Sequence, residues 1–260
     1  MLPRIAGDIY DYPAYYDLVY GSDWRAEFCF LLNCFQKHAG RKIKRVFEPA
    51  CGTGRLLYRL AKQGFQVSGL DRNPRMVAYC NRRLKRHGFP ATCVEGDMSD
   101  FHLPQPVDAA FNMINSFRHL ATEREARGHL ECLGRCVARG GLYVLGLHLT
   151  PTTAEPSDRE SWSARRGHLA VVTALWVKAR DLRKRQELCG MTYDVYTPTQ
   201  AFRLEGEVSF RTYTATQFRR LVASVPAWEI AAVYDFSYDI DASIKVTPAT
   251  EDAVFVLRRK

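Results

Sequence analysis

Among its 260 residues the chain has no apolar run near the length of a membrane span, which excludes a spanning helix of ordinary length and any membrane partner that depends on one. Its N-terminus, with Asp8, Asp11 and Asp17 among tyrosines, lacks the basic-then-apolar order of a secretory leader. A cytoplasmic location is the expectation. There is also no Cys-x-x-Cys pair. The eight cysteines, Cys29, Cys34, Cys51, Cys80, Cys93, Cys132, Cys136 and Cys189, are scattered mostly on apolar faces and read as reduced thiols, neither disulfides nor zinc ligands. Cys132 and Cys136 share a helix face, but with only His129 nearby they read as core, so no metal site is expected. Internal repeats and low-complexity tracts are missing too. What is present, 47% hydrophobic residues, suffices for one domain with an insertion or for two small ones.

Acidic residues are outnumbered, leaving a formal charge of +9 concentrated in Arg41-Lys42 with Lys44-Arg45, Arg82-Arg83 with Lys85-Arg86, and Arg183-Lys184-Arg185. Such a surplus attracts nucleic acid or anionic substrates. Basic and aromatic residues do not alternate as a base-stacking platform needs, so solvated surface is the favoured reading and a nucleic-acid partner is not.

The chain is organised around Val46 to Arg55, Val-Phe-Glu-Pro-Ala-Cys-Gly-Thr-Gly-Arg: a buried strand, a turn of small residues, and a helix start. Gly52 and Gly54 permit backbone angles and a close approach that a side chain would block, and the amides at the helix start make a positive end. That is a cradle for a nucleotide-type ligand. Glu48 closes this strand and Asp71 the next, Phe65 to Asp71, so two carboxylates end adjacent parallel strands, where an acid can accept both hydroxyls of a ribose. A dinucleotide fingerprint wants a third glycine where Leu57 stands, which disfavours NAD.

Further along, Asp71-Arg72-Asn73-Pro74 caps a helix on which Met76 and Val77 face inward, and Ala91 to Met98 form a third strand ending in Gly96-Asp97-Met98. Val107 to Met113 is a fourth strand, with Asn112 opening the exit loop that runs to His119. Strand exits at the carboxyl edge are where open α/β sheets bind ligands. Thr122 to Glu125 is a capping box, Gly140-Gly141 stops the helix it opens, and Leu142 to Leu149 is a fully apolar fifth strand.

In this order the motifs resemble those of the class I S-adenosylmethionine (SAM) dependent methyltransferases, with Ala50 at the first glycine of their acid-x-Gly-x-Gly-x-Gly motif. Through Tyr16 to Arg25, Ala50 to Gly54 and Gly96 to Met98, they are most similar to the small-molecule group that contains nucleotide-sugar N-methyltransferases and glycine N-methyltransferase-like enzymes. The resemblance implies a Rossmann-like, doubly wound α/β sheet of seven strands, the last antiparallel. It implies SAM as cofactor, held by Tyr16, Arg25, Glu48, Ala50, Gly52, Gly54, Asp71, Arg72, Met76, Asp97, Met98, Asn112 and Met113. In such relatives an arginine of the N-terminal segment pairs with the methionyl carboxylate, here Arg25, and the aspartate of Gly-Asp-Met takes the adenine amino group, here Asp97. The expected activity is in-line methyl transfer to a small-molecule amine or hydroxyl; an RNA or protein methyltransferase and a SAM-binding protein without turnover are the alternatives. His119 is the candidate base and Tyr10 its counterpart from the lid.

Residues 1–40 are expected to be a lid whose helix, Arg25 to His38, lies over the cofactor mouth, and residues 41–150 with 214–260 the SAM-binding core. Residues 151–213 read as an inserted antiparallel β subdomain of three strands, Leu169 to Val177, Gln186 to Tyr196 and Phe202 to Thr212. As a wall of the acceptor pocket it would offer Trp162, Arg165, Arg166, Trp176 and Tyr213, with Tyr238 beyond it; as an exposed sheet it equally suits a homodimer interface.

Overall fold

Runs of apolar residues that need cover on both faces pair at the centre of the molecule. In the computed structural model, which describes residues 2–5 and 7–260, β1 (Arg4–Ile5), α1 (Pro13–Gly21) and α2 (Arg25–His38) come first. An alternating series follows: β2 (Arg45–Pro49), α3 (Leu57–Lys62), β3 (Gln66–Asp71), α4 (Pro74–Arg86), β4 (Cys93–Glu95), β5 (Val107–Asn112), α5 (Glu123–Cys136) and β6 (Val137–His148). After it come β7 (Arg159–Arg166), β8 (Leu169–Asp181), β9 (Gln186–Tyr196), β10 (Ala201–Arg211), α6 (Ala215–Ala223), β11 (Trp228–Tyr234) and β12 (Asp252–Arg259).

Seven strands form one sheet in the order β11-β12-β6-β5-β2-β3-β4. Only β12 runs opposite to the other six. Strand alternation divides the core: Val46 of β2 points to the face covered by α2, α3 and α4, and Phe47 to the face covered by α5 and α6. All six residues of β5 are buried, as a central parallel strand requires. The strand order reverses between β2 and β5, so the crevice at their carboxyl ends is where this topology accepts a ligand.

Three expectations change. The helix Arg25 to His38 has the predicted bounds, but its Phe30, Leu31 and Cys34 pack with Val46, Val144 and Val256 against the sheet; α2 is a sheet-covering helix and not a cap over the mouth. Gly140-Gly141 does not stop a helix. Strand β6 begins at Val137 and runs through both glycines, with Gly140 at φ +75° against Gly40 and a Cβ at Gly141 only 2.4 Å from the Asp108 carbonyl. The second sheet has five strands, in the order β1-β10-β9-β8-β7, where three were expected. Strand β7 escaped because Arg-Glu-Ser-Trp-Ser-Ala-Arg-Arg is mostly polar, with only Trp162 and Ala164 as apolar positions on one face of an edge strand. Among the described residues no helix is long and apolar enough to cross a membrane.

Candidate active site

The carboxyl ends of β2, β3 and β5, the N-terminal tyrosines and the inner face of the second sheet enclose a cavity of about 570 Å³. Its floor is the Ala50 to Gly54 turn. The Asp71 carboxylate fixes that turn by accepting the Gly52 amide at 2.8 Å and, through its other oxygen, the Asn73 amide at 2.9 Å. Burial raises the Asp71 pKa, and these two amides work against the rise. Ala50, at φ +52°, holds a left-handed conformation that glycine adopts more cheaply. Gly52 lines the cavity at φ +53°, and a Cβ there would come within 3.5 Å of the Tyr16 ring. Gly54, at φ +66°, serves packing, since a Cβ would lie 2.2 Å from Cys80 Sγ.

The N-terminal segment forms an aromatic wall. Tyr16 and Tyr20, one helical turn apart on α1, have ring centroids 4.5 Å apart, and Tyr10 leans on Tyr16 at 5.5 Å. Tyr10 Oη lies 3.3 Å from His119 Nε2. His119 is exposed and lines the cavity; partial desolvation there, with the Arg118 and Arg72 charges, pushes its pKa down to about 4. The wall is tied to the turn by Asp17 of α1, which accepts Thr53 Oγ1 at 3.0 Å and pairs with Arg83 Nη2 at 2.5 Å while only 2% exposed.

The second sheet supplies the opposite wall with Glu160, Trp162, Leu175, Glu187 and Met191. Buried Glu187 lies between two arginines, Arg118 Nη2 at 2.7 Å and Arg180 Nε at 2.5 Å. Its burial opposes ionisation, but the two cations keep its pKa below the usual carboxylate value. Sequence reasoning missed Arg118, Arg180 and Glu187: Arg118 and Glu187 stand 69 residues apart and leave no local spacing to read, and Arg180 meets Glu187 only through the register of the β8–β9 hairpin; Tyr20 was legible from its helical spacing to Tyr16.

Of the residues singled out from sequence, Tyr10, Tyr16, Ala50, Gly52, Asp71, Arg72, Met98, His119 and Trp162 meet around this cavity. The others lie elsewhere. Arg25 is exposed at the start of α2. Met76 and Met113 are core residues behind the wall. Asp97 turns away to accept the Ser99 amide at 2.7 Å, with Arg72 Nε 3.9 Å from it. Asn112 is buried, its amide donating to the Pro49 carbonyl and its oxygen accepting Tyr143 Oη at 2.8 Å, which ties β5 to β2 and β6. Five of the six residues expected to contact the acceptor lie outside the cavity, and only Trp162 lines it. Trp176 sits opposite Arg159 and so shares the outer face of the sheet, where Arg165 also lies exposed. Tyr213 packs between Phe117 and Phe218 in the core, and Tyr238 packs on Phe30 with its hydroxyl 3.4 Å from Glu27. Arg166 reaches Asp17 at 3.5 Å instead of the cavity.

Residues 46–141 match a family described as a methyltransferase domain. Over those residues the chain carries a SAM-dependent methyltransferase domain. A relative from Streptomyces fradiae, named dTDP-3-amino-3,6-dideoxy-alpha-D-glucopyranose N,N-dimethyltransferase, is 33% identical over 133 residues, 50% of each chain. The chain thus spans about half the length of the curated relatives it matches. Likenesses in structure cover nearly everything: Streptomyces venezuelae DesVI has a TM-score of 0.78 at 18% identity, over 98% of this chain and 99% of that one. SAM-bound CalS10, an amino pentose methyltransferase from Micromonospora echinaspora, has a TM-score of 0.74 at 21% identity, with 96% of each chain covered. These establish the fold of the whole chain.

The cofactor of a methyltransferase domain of this class is SAM, and the residues present fit it. Gly52 keeps side-chain volume out of the floor. The Asp71 oxygens each retain a lone pair after their amide bonds, the valence a ribose diol needs. Behind the turn, Glu48 Oε2 is buried with no hydrogen-bond partner, and burial holds the Glu48 pKa far above its ordinary value. A buried carboxyl left half-satisfied is costly on its own and fits a cationic amino group placed near it.

Proposed function

We propose that the protein transfers the methyl group of SAM to the nitrogen of a small-molecule amine, with an amino sugar as the acceptor class. The observation that carries this reading is His119 in contact with Tyr10 inside the cavity, held neutral by a pKa of about 4. A hydroxyl acceptor needs a strong base at its oxygen, whereas an amine needs only a free lone pair. His119 is too weak for the first task and suits the second, accepting a hydrogen bond from the acceptor N–H while Tyr10 fixes the imidazole. SAM supplies a methyl already made electrophilic by its sulfonium, so the protein's work is alignment and exclusion of water. Tyr10, Tyr16, Tyr20 and Trp162 provide the apolar enclosure, and the carboxylates Asp8 and Glu160 favour a basic acceptor. The name of the Streptomyces fradiae relative, an amino-sugar N,N-dimethyltransferase, supports the same class. Eight free thiols support work in the reducing cytoplasm.

The test offers SAM with a nucleotide-linked amino sugar and, separately, with its hydroxyl counterpart, and follows S-adenosylhomocysteine release and the acceptor's mass. The amino sugar should gain one or two methyl groups and the hydroxyl compound none. Methylation of the hydroxyl compound at a comparable rate would overturn the assignment.

A further inference from the structure

Cysteines that stand far apart in sequence converge beneath the cofactor turn. Cys51 lies within the turn between the cavity residues Ala50 and Gly52, Cys80 is on α4, and Cys93 opens β4. Their sulfurs all lie within 4.8 Å of one another, with Cys80 Sγ 3.2 Å from Cys93 Sγ, and each is a free, buried thiol. The expectation of scattered thiols therefore fails for these three.

Glycines make room for the cluster: a Cβ at Gly54 would strike Cys80 Sγ at 2.2 Å, and one at Gly69 would lie 3.0 Å from Cys51 Sγ. Its frame is stiff. The Asn81 side chain clamps Cys93 by accepting its amide at 3.1 Å and donating to its carbonyl at 2.8 Å, while the Cys51 amide donates to the Leu70 carbonyl at 2.8 Å.

We propose that Cys51, Cys80 and Cys93 form a three-thiolate site for a monovalent soft ion, copper(I), and that filling it weakens cofactor binding through Cys51. Three sulfurs around one metal at about 2.3 Å each stand about 4 Å apart, so the 3.2 Å pair opens and, with every spacing within 4.8 Å, none has to close by more than about 1 Å. Among the described residues no fourth histidine, cysteine or carboxylate joins the cluster, which disfavours tetrahedral zinc, whereas thiolates alone select copper(I). Copper enters and stays as copper(I), replacing thiol protons that pass to solvent. Of the three ligands only Cys51 belongs to the cofactor turn, so the adjustment of the sulfurs around the ion is transmitted to the backbone that Asp71 holds at Gly52. The coupling rests on SAM binding at that turn; the metal site does not.

Copper(I) is titrated into the reduced full-length protein against a chromogenic copper(I) chelator, with and without SAM, and the bound form is examined by X-ray absorption. One ion per chain with three sulfur neighbours is expected. Copper should weaken SAM binding by about tenfold and, by reciprocity, SAM should weaken copper binding by the same factor. Cys93→Ser should lose copper affinity by about a hundredfold, and Cys29→Ser, at an exposed position, should lose none. Two-sulfur or nitrogen-containing coordination of the wild-type protein, or loss of binding in Cys29→Ser, overturns the site whether or not the Cys93 variant folds. Three-sulfur copper with SAM affinity unchanged overturns the coupling, and absence of SAM binding to the copper-free protein overturns the cofactor assignment instead.

Discussion

Replacing Asp17 by Asn isolates the latch between the aromatic wall and the cofactor turn. The carboxylate is 2% exposed and serves Arg83 Nη2 at 2.5 Å, Thr53 Oγ1 at 3.0 Å and Tyr79 Oη at 3.4 Å, with Arg166 Nη1 3.5 Å away. Asn keeps the volume and one acceptor but strands the Arg83 guanidinium, whose side chain is 10% exposed. Removing one member of a buried pair costs about 3 to 5 kcal/mol. Arg83 retains a 3.0 Å bond to the Thr53 carbonyl and stacks over Tyr58 and Tyr79, which argues for the lower end, about 3 kcal/mol. For a chain of this size that corresponds to a fall in Tm of about 6 to 12 °C. SAM affinity should fall too, because α1 carries Tyr16 and Tyr20 into the cavity. Differential scanning calorimetry and titration calorimetry on Asp17→Asn, Arg83→Met and the double variant form a cycle. The double variant should lose less than the two single losses added, by at least about 1.5 kcal/mol. Additive losses, or a Tm within about 2 °C of wild type in Asp17→Asn, would refute the latch.

Asp71→Ala should weaken SAM by about 1.5 to 3 kcal/mol in titration calorimetry, the worth of hydrogen bonds to a charged group, and unchanged affinity would remove Asp71 from the site. Arg25→Ala should leave SAM affinity within about twofold, given its exposure on α2; a larger loss would restore the carboxylate clamp inferred from sequence. Gly54→Ala should cost about 2 kcal/mol or more from its left-handed backbone and the contact with Cys80, and Cys80→Ala in the same chain should recover part of that in chemical denaturation. Because the folded His119 pKa lies near 4, below the ordinary 6.5, its imidazole stays neutral as pH falls from 7 to 5 while the unfolded chain takes up a proton. Stability is therefore lost across that window, and His119→Phe should lose less of it; equal pH slopes for the two proteins would show that His119 is not desolvated.

Sequence by itself determined the central architecture. A buried strand ending in Glu48, small residues at 50 to 54 and a second strand ending in Asp71 encode strand, turn and helix through local backbone preference and apolar runs, and the cofactor turn follows. The α2 boundaries were legible because the apolar spacing of Phe28, Leu31, Leu32 and Phe35 is helical, but the surface those side chains cover was not. Tertiary structure decided everything that depends on which distant residues meet. Register between β7 and β8 puts Trp162 in the cavity and Trp176 on the opposite face, since a shift of one residue exchanges the faces of a strand. The pairing of Arg118 with Glu187 and of Asp17 with Arg83, and the meeting of Cys51, Cys80 and Cys93, have no local signal. Packing of helices and of the second sheet onto the first brings those groups within bonding distance, and only that proximity gives them a role.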